Sequence, residues 1–160
     1  RGVQHGGVGG AEAMIRQATI RDEPVIAALY RVCHPTWSDR PPKFYTSENT
    51  TLVALDGEEI IGYAVLGFAA GGDHAILHDS GVAPAKRGKG IAWQLHEERL
   101  KVATERGAEF AIGFTWADNT VMVSLLERLG FRHSLTHPNG FPENDPPADA
   151  LVWVKRLRPA

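Results

Sequence analysis

Cysteine occurs once in the 160 residues, at Cys33. This excludes an internal disulfide framework and any metal site built on several thiolates, and it fits a reducing compartment. No apolar run approaches the ~20 residues that a membrane-crossing helix needs. Long blocks of one charge are missing too: 17 basic and 19 acidic side chains are interspersed and the formal net charge is −2. Neither nucleic acid nor a membrane surface is therefore expected as a bulk partner. Internal repeats are absent, and the low-complexity stretch is the glycine cluster of residues 6–10. What remains is a chain of ordinary apolar content, long enough for one domain with a sizeable core and cramped for two. These absences predict a soluble, cytoplasmic protein. Residues 1–13 read as a flexible native extension or a tag remnant, leaving 14–160 as a single domain.

The positive charge that is informative is local. Val82-Ala83-Pro84-Ala85-Lys86-Arg87-Gly88-Lys89-Gly90-Ile91-Ala92 runs from an apolar strand through a basic glycine turn into a helix. Glycines at 88 and 90 allow a tight turn and a close backbone approach, and the unpaired N–H groups of the next helix's first turn face whatever sits there. That is a site for a phosphate or pyrophosphate. A Walker loop needs Gly-Lys followed by Ser or Thr, whereas Gly88-Lys89 is followed by Gly90. A dinucleotide fingerprint needs a third glycine and an acidic residue about twenty positions on, and Trp93 stands where that glycine would. What is left is Arg-x-x-Gly-x-Ala preceded by Val-x-Pro.

Along the chain, 14–18 reads as a strand, and Asp22 as the cap of a helix with Pro24 in its first turn and Val25, Ala28, Leu29 and Val32 on one face. Prolines at 35, 41 and 42 make 34–45 a loop with a short helix. Two strands, 50–55 and 60–68, meet at Asp56-Gly57, a hairpin signal. A further strand spans 75–82. The helix from residue 92 carries an apolar arc of Ile91, Leu95, Val102 and Ala103 and ends at Gly107. A strand over 110–116, an amphipathic stretch after Asn119 ending at Gly130, a proline-rich loop over 137–147 and a last strand over 151–157 complete the pattern. Strands and helices in mostly sequential order with two hairpins imply an α/β (α+β) domain on a mixed sheet.

The loop resembles the acyl-CoA loop of the GNAT superfamily of N-acetyltransferases, and the order that follows it is similar to that family's: a long helix over 92–106, a strand over 110–116, Asn119 heading a short helix, and Gly130-Phe131 closing it. The resemblance covers roughly 14–157, by pattern rather than by residue outside the loop and the Asn to Gly-Phe segment. It implies the GNAT fold, a central mixed, mostly antiparallel sheet with helices on both faces. It implies acetyl-CoA as co-substrate, no metal, and direct acetyl transfer to a primary amine. By the same resemblance the amides of Arg87, Gly88, Lys89, Gly90, Ile91 and Ala92 hold the pyrophosphate, Ser80 and Val82 on the strand edge meet the pantetheine arm, the Val82 amide polarises the carbonyl, and Asn119 lies beside the arm. Asn119 also suits a plain helix N-cap, and Lys86, Arg87 and Lys89 suit either phosphate contact or a solvated surface.

His78 is the candidate general base. It lies four residues before Val82, so strand alternation puts both on one face, with Leu77 and Asp79 on the other. An alkylammonium must lose its proton before attack, and an imidazole with pKa near ~6.5 suits that task; the competing reading is a histidine packed in a half-buried strand. His74 shares the parity, but four strand residues span ~13 Å, too far for one metal. Where many family members have a Tyr seven positions after the Asn, as general acid for the departing thiolate, this chain has Leu126; Tyr63, Thr115 and water are the substitutes considered. Arg99 falls in the apolar arc of the long helix and is expected to snorkel out. Cys33 beside His34 is read as a small core residue. The acceptor is placed between 34–45 and 137–147, with Glu143 and Asp145 favouring a cation and Trp37, Phe44 and Phe141 an apolar body. The first reading is a small-molecule amine acceptor. A peptide or protein N-terminus or lysine is the second, a non-catalytic CoA sensor the third, and a second copy of the chain is a candidate partner.

Overall fold

Around the Asp56-Gly57 turn the chain builds a seven-stranded sheet from β1 (Met14–Gln17), β2 (Thr50–Asp56), β3 (Glu59–Phe68), β4 (His74–Val82), β5 (Phe110–Trp116), β6 (Arg132–Phe141) and β7 (Ala148–Arg156). The structure, a computed structural model, describes residues 12–37, 44 and 48–158. Most of the expected N-terminal extension and much of the 34–45 loop lie outside the described residues; Ala13, assigned to that extension, donates its N–H to the Gln94 side chain at 3.0 Å and packs on the core. The strand order is β1-β2-β3-β4-β5-β7-β6, and β4 with β5 is the parallel pair in an otherwise antiparallel sheet. Among the described residues no helix is long and apolar enough to cross a membrane.

Helices cover both faces. α1 (Glu23–Cys33) packs Ile26 and Tyr30 on Val53, Leu55, Tyr63 and Val65. α2 (Ile91–Glu105) packs Ile91 and Leu95 on Leu52, Ala54, Ile61, Ala64 and Val82 of the opposite face. α3 (Thr120–Arg128) lies beside α2, where Leu126 shares a core with Leu77, Leu100 and Trp153. Asn119 caps α3 with its side chain, accepting from the Met122 N–H at 3.2 Å.

Four expectations are corrected. The inner face of α1 is turned by one residue, leaving Val25 47% and Val32 57% exposed, because Tyr30 joins Phe44 and Tyr63 in an aromatic chain with ring spacings of 5.4 and 5.3 Å. Asp22 does not cap α1 with its carboxylate; it accepts from the Thr19 N–H at 2.7 Å and pairs with Arg16, closing a preceding 3-10 turn, and that pairing brings its pKa down to about 2. The proline-rich loop is shorter than expected, since β6 absorbs residues 137–141 and β7 begins at Ala148. An edge strand tolerates Pro138, Asn139 and Gly140 through an irregular register between His137 and Phe141.

The last correction bears on function. Ala64 pairs with Ser80 and Leu66 with Leu77, so His78 and Asp79 together oppose Val65. Two residues against one is a β-bulge, and it inverts the two-residue alternation that His78 was read by. Leu77 and Val82 both pack toward α2, Leu77 in the cluster with Leu100 and Val82 in the cluster with Ile91. His78 therefore faces the α1 side, opposite to Val82.

Candidate functional site

The bulge marks the point where two strands part. β4 and β5 pair in parallel from His74↔Phe110 to Leu77↔Gly113 and no further, while β5 continues to Trp116 on β7. Between them opens a cleft of about 410 Å³ lined by His34, His78, Asp79 and Ser80 on one side and Phe114, Trp116, Asn119, Leu126 and Phe141 on the other. Ala83 donates to the Ile61 carbonyl at 2.8 Å, so the antiparallel alternation turns the N–H groups of Ser80 and Val82 away from β3 and into this gap. A strand edge without its neighbour offers donors to an extended ligand.

At the end of that edge, Gly88 and Gly90 take φ of +76° and +81°, and nothing lies within 4 Å of where a Cβ would stand on either. Gly90 is the N-cap of α2, whose first-turn amides have no helical acceptor and carry the positive end of the helix dipole. The loop is thus open to an anion from Arg87 through Ala92. The three cations differ: Lys86 is bound to Asp56 at 2.7 Å, Arg87 donates its Nε to the Val82 carbonyl at 3.0 Å, and Lys89 is exposed at the loop. Lys86 is committed to bracing the β2–β3 turn.

On the α1 side, His34 binds the Ser80 backbone and faces the Tyr63 hydroxyl at 3.3 Å, while the Cys33 thiol donates to the Val82 carbonyl at 3.5 Å. Cys33 and His34 therefore serve two separate carbonyls of β4 and are not a nucleophile pair. Burial lowers the pKa of both His34 and His78, opposed in each case by the charge of Asp79. His78 lies over Gly67: a Cβ there would come within 2.5 Å of its Nε2. Gly67→Ala should displace the ring, lowering kcat by about tenfold while leaving acetyl-CoA affinity unchanged, as initial rates against both substrates would measure.

Arg99 does not snorkel. It is 1% exposed, as is His96 one turn before it. Its Nη1 donates to the carbonyls of Val65 and His78, both at 2.9 Å, and its Nη2 lies 2.5 Å from His96 Nδ1. Burial brings the Arg99 pKa down to about 9 and pushes that of His96 well below the ordinary value, so His96 faces the guanidinium as a neutral acceptor. The buried arc of α2 is Ile91, Leu95, His96, Arg99, Leu100 and Ala103, with Val102 at its margin.

Two suggested stand-ins for a general acid sit elsewhere: Tyr63 is fully buried against Phe44, and the Thr115 hydroxyl accepts from Trp153 Nε1 at 2.9 Å. Neither lines the cleft, where Leu126 is 1% exposed. Glu143 and Asp145 also lie outside the lining, and among the described residues the carboxylate on the cleft is Asp79. Phe44 belongs to the α1 core, whereas Phe141 meets Trp116 edge-on at 5.7 Å on the cleft wall. His74 pairs with Asp73 at 2.9 Å and stacks on Phe110. Sequence reading missed Asp79 as a cleft residue and included His34 only as the start of the 34–45 segment beside the acceptor; α1 ending at Cys33 just before a histidine was the available signal for singling it out.

Comparison with known proteins agrees with this fold. The family model described as Acetyltransferase (GNAT) family matches residues 18–131. The N-alpha-acetyltransferase 30 of Schizosaccharomyces pombe is 32% identical over 115 residues, 68% of this chain and 68% of that protein. The crystal structure of the ribosomal-protein-S18-alanine N-acetyltransferase from Escherichia coli superposes with a TM-score of 0.81 at 19% identity, over 93% of this chain and 96% of that one. A GNAT family acetyltransferase from Elizabethkingia anophelis with acetyl-CoA bound superposes with a TM-score of 0.76 at 20% identity, over 92% and 99%.

Proposed function

The chain belongs to the GNAT acetyltransferase family and is an N-acetyltransferase, and from that premise we propose that its acceptor is an α-amine, a peptide N-terminus ahead of a small alkylamine. The observation that carries this reading is the pair of half-enclosed imidazoles, His34 and His78, beside Asp79 at the bulge. Both hold their protons less tightly than a free imidazole. Against even an ordinary imidazole, an alkylammonium with pKa about 10.4 lies roughly four units higher, an uphill transfer of about 5 kcal/mol, whereas an α-ammonium at about 7.7–8.0 lies less than two units higher. The yeast relative, an N-alpha-acetyltransferase by name, supports the same direction.

Acetyl-CoA is the co-substrate the family uses, and the residues present fit it: an open, glycine-lined helix N-terminus for phosphates, and a free strand edge leading from it into the cleft. Arg87 to Ala92 would hold the pyrophosphate, Ser80 and Val82 the extended arm, and Asn119 its far side. The acetyl thioester supplies the electrophile when bound. Asp79 draws the ammonium in, and His78 takes its proton on the α1 side of the sheet. No acid stands opposite at Leu126, and a thiol with pKa near ~8.5 leaves unaided at a modest cost in rate.

The test is CoA thiol release with three acceptor sets: peptides with free N-termini, the same peptides N-formylated but carrying an internal lysine, and small alkylamines. Release confined to free N-termini is expected. Faster release with alkylamines or with blocked lysine peptides would overturn the α-amine assignment, and free amino acids as a fourth set separate a small α-amine from a peptide.

A further inference from the structure

We propose that Arg99 is a positioning residue for acetyl transfer, pinning the β4 bulge so that the outward amides of Ser80 and Val82 and the ring of His78 keep their places along the cleft. The helix face that carries it should be apolar: its neighbours Leu95, Leu100 and Ala103 are all buried. Instead, two ionisable side chains sit there at i and i+3, each 1% exposed. A buried guanidinium is costly unless its donors are met. Here a single nitrogen, Nη1, meets one carbonyl from each strand of the bulge, Val65 on β3 and His78 on β4. Val65 is the residue that faces two partners, and His78 is one of those two, so these are the ladder groups a bulge disturbs. Neutral His96 holds the second nitrogen, which fixes the plane of the guanidinium and so the direction of Nη1. Arg99 Nε is left without a partner, a cost the site carries for this geometry.

The same residue lines the floor of the cleft, at the point where β4 leaves β5. Without it, the two carbonyls would seek other donors and the bulge would be free to close up, a one-residue slip that moves the β4 side chains after His78 to the other face. The role rests on the acetyltransferase reading of the cleft and not on which amine is the acceptor.

The experiment compares wild type, Arg99→Lys and the double variant His96→Leu/Arg99→Met. Removing the buried guanidinium together with the neutral imidazole it faces also removes their desolvation cost, which offsets the two carbonyls left without this donor, so the double variant is expected to fold with a thermal midpoint near that of wild type. It should still bind acetyl-CoA through the loop, which it does not touch, losing no more than about tenfold in affinity from the displaced Ser80 and Val82 amides, yet turn over about 10²-fold more slowly, as a misplacement on the order of 1 Å implies. Arg99→Lys keeps one donor-rich nitrogen near the two carbonyls and should recover to within about tenfold of wild type. In ¹⁵N spectra the Ser80 and Val82 amides should move in the double variant and stay close to wild type in Arg99→Lys.

A folded double variant with turnover near wild type, or with both amides unmoved, overturns the proposal. If wild type acetylates none of the amines offered, the acceptor assignment has failed, and the amide shifts decide the role of Arg99 alone. Should the double variant not fold, Arg99→Lys decides it: turnover and both amides near wild type support the pin, and a loss of turnover with unmoved amides overturns it.

Discussion

Gly90→Glu is expected to abolish usable acetyl-CoA binding while leaving the fold intact. Nothing occupies the space a side chain would take at Gly90, so no clash opposes the substitution. The backbone does: φ of +81° is a left-handed conformation that costs a residue with a Cβ roughly 1–2 kcal/mol. Against this, a carboxylate at a helix N-terminus interacts favourably with the dipole, by about 0.3–1 kcal/mol. The two nearly cancel, and the folded state survives. Binding does not, because the new carboxylate accepts from the first-turn amides of α2 that an incoming phosphate needs, and repels it as well. Two charge-assisted hydrogen bonds at about 1.5–3 kcal/mol each correspond to at least about 10²-fold in Kd. Titration calorimetry with acetyl-CoA checks the result, and Gly90→Ala separates its causes: it keeps the backbone strain without the charge and should weaken binding by less than about tenfold. Wild-type affinity in Gly90→Glu would remove the loop from the site.

That loop was legible in the sequence because everything that makes it is local. Positive φ at Gly88 and Gly90, the helix beginning at Ile91 and the cap at Asn119 all follow from residues within a few positions of one another. The same holds for the β2–β3 turn and for β5, whose bounds match the expected strand. What the sequence hid was set by register between strands. Nothing near His78 announces that it and Asp79 share one partner on β3, so alternation counted back from Val82 put the histidine on the wrong face. Arg99 was misjudged for a related reason: its carbonyl partners lie 34 and 21 residues away, and a charge in an apolar arc reads as a snorkel until those acceptors are seen. α1 shows the limit in its mildest form. Its periodicity was correct and its phase was off by one residue, because the aromatic rings that claim its inner face come from Phe44 and Tyr63.

His78→Ala should slow transfer by about 10²-fold or more near neutral pH, the usual contribution of a positioned base. The pH dependence carries the diagnosis. Burial lowers the pKa of His78, so its neutral, proton-accepting form persists to lower pH than a free imidazole's, and base catalysis is lost only as pH falls through that lowered value. In wild type, kcat/KM should therefore fall in two steps on acidification, one near about 8 as an α-amine acceptor protonates and one below about 6.5 as His78 does. The alanine variant should keep the first step and lose the second. Its deficit should also shrink as pH rises past the amine's own pKa, where the acceptor no longer needs a base to become a nucleophile. Acetyl-CoA affinity should not change, because His78 lies across the sheet from Val82 and away from the glycine loop. His34→Ala is the informative companion: its ring braces Ser80 and Tyr63, so its loss should lower the rate at every pH and leave both steps in place. A wild-type profile in His78→Ala with the acid step missing from His34→Ala would transfer the base to His34, and the α-amine preference would survive the exchange because both imidazoles titrate low.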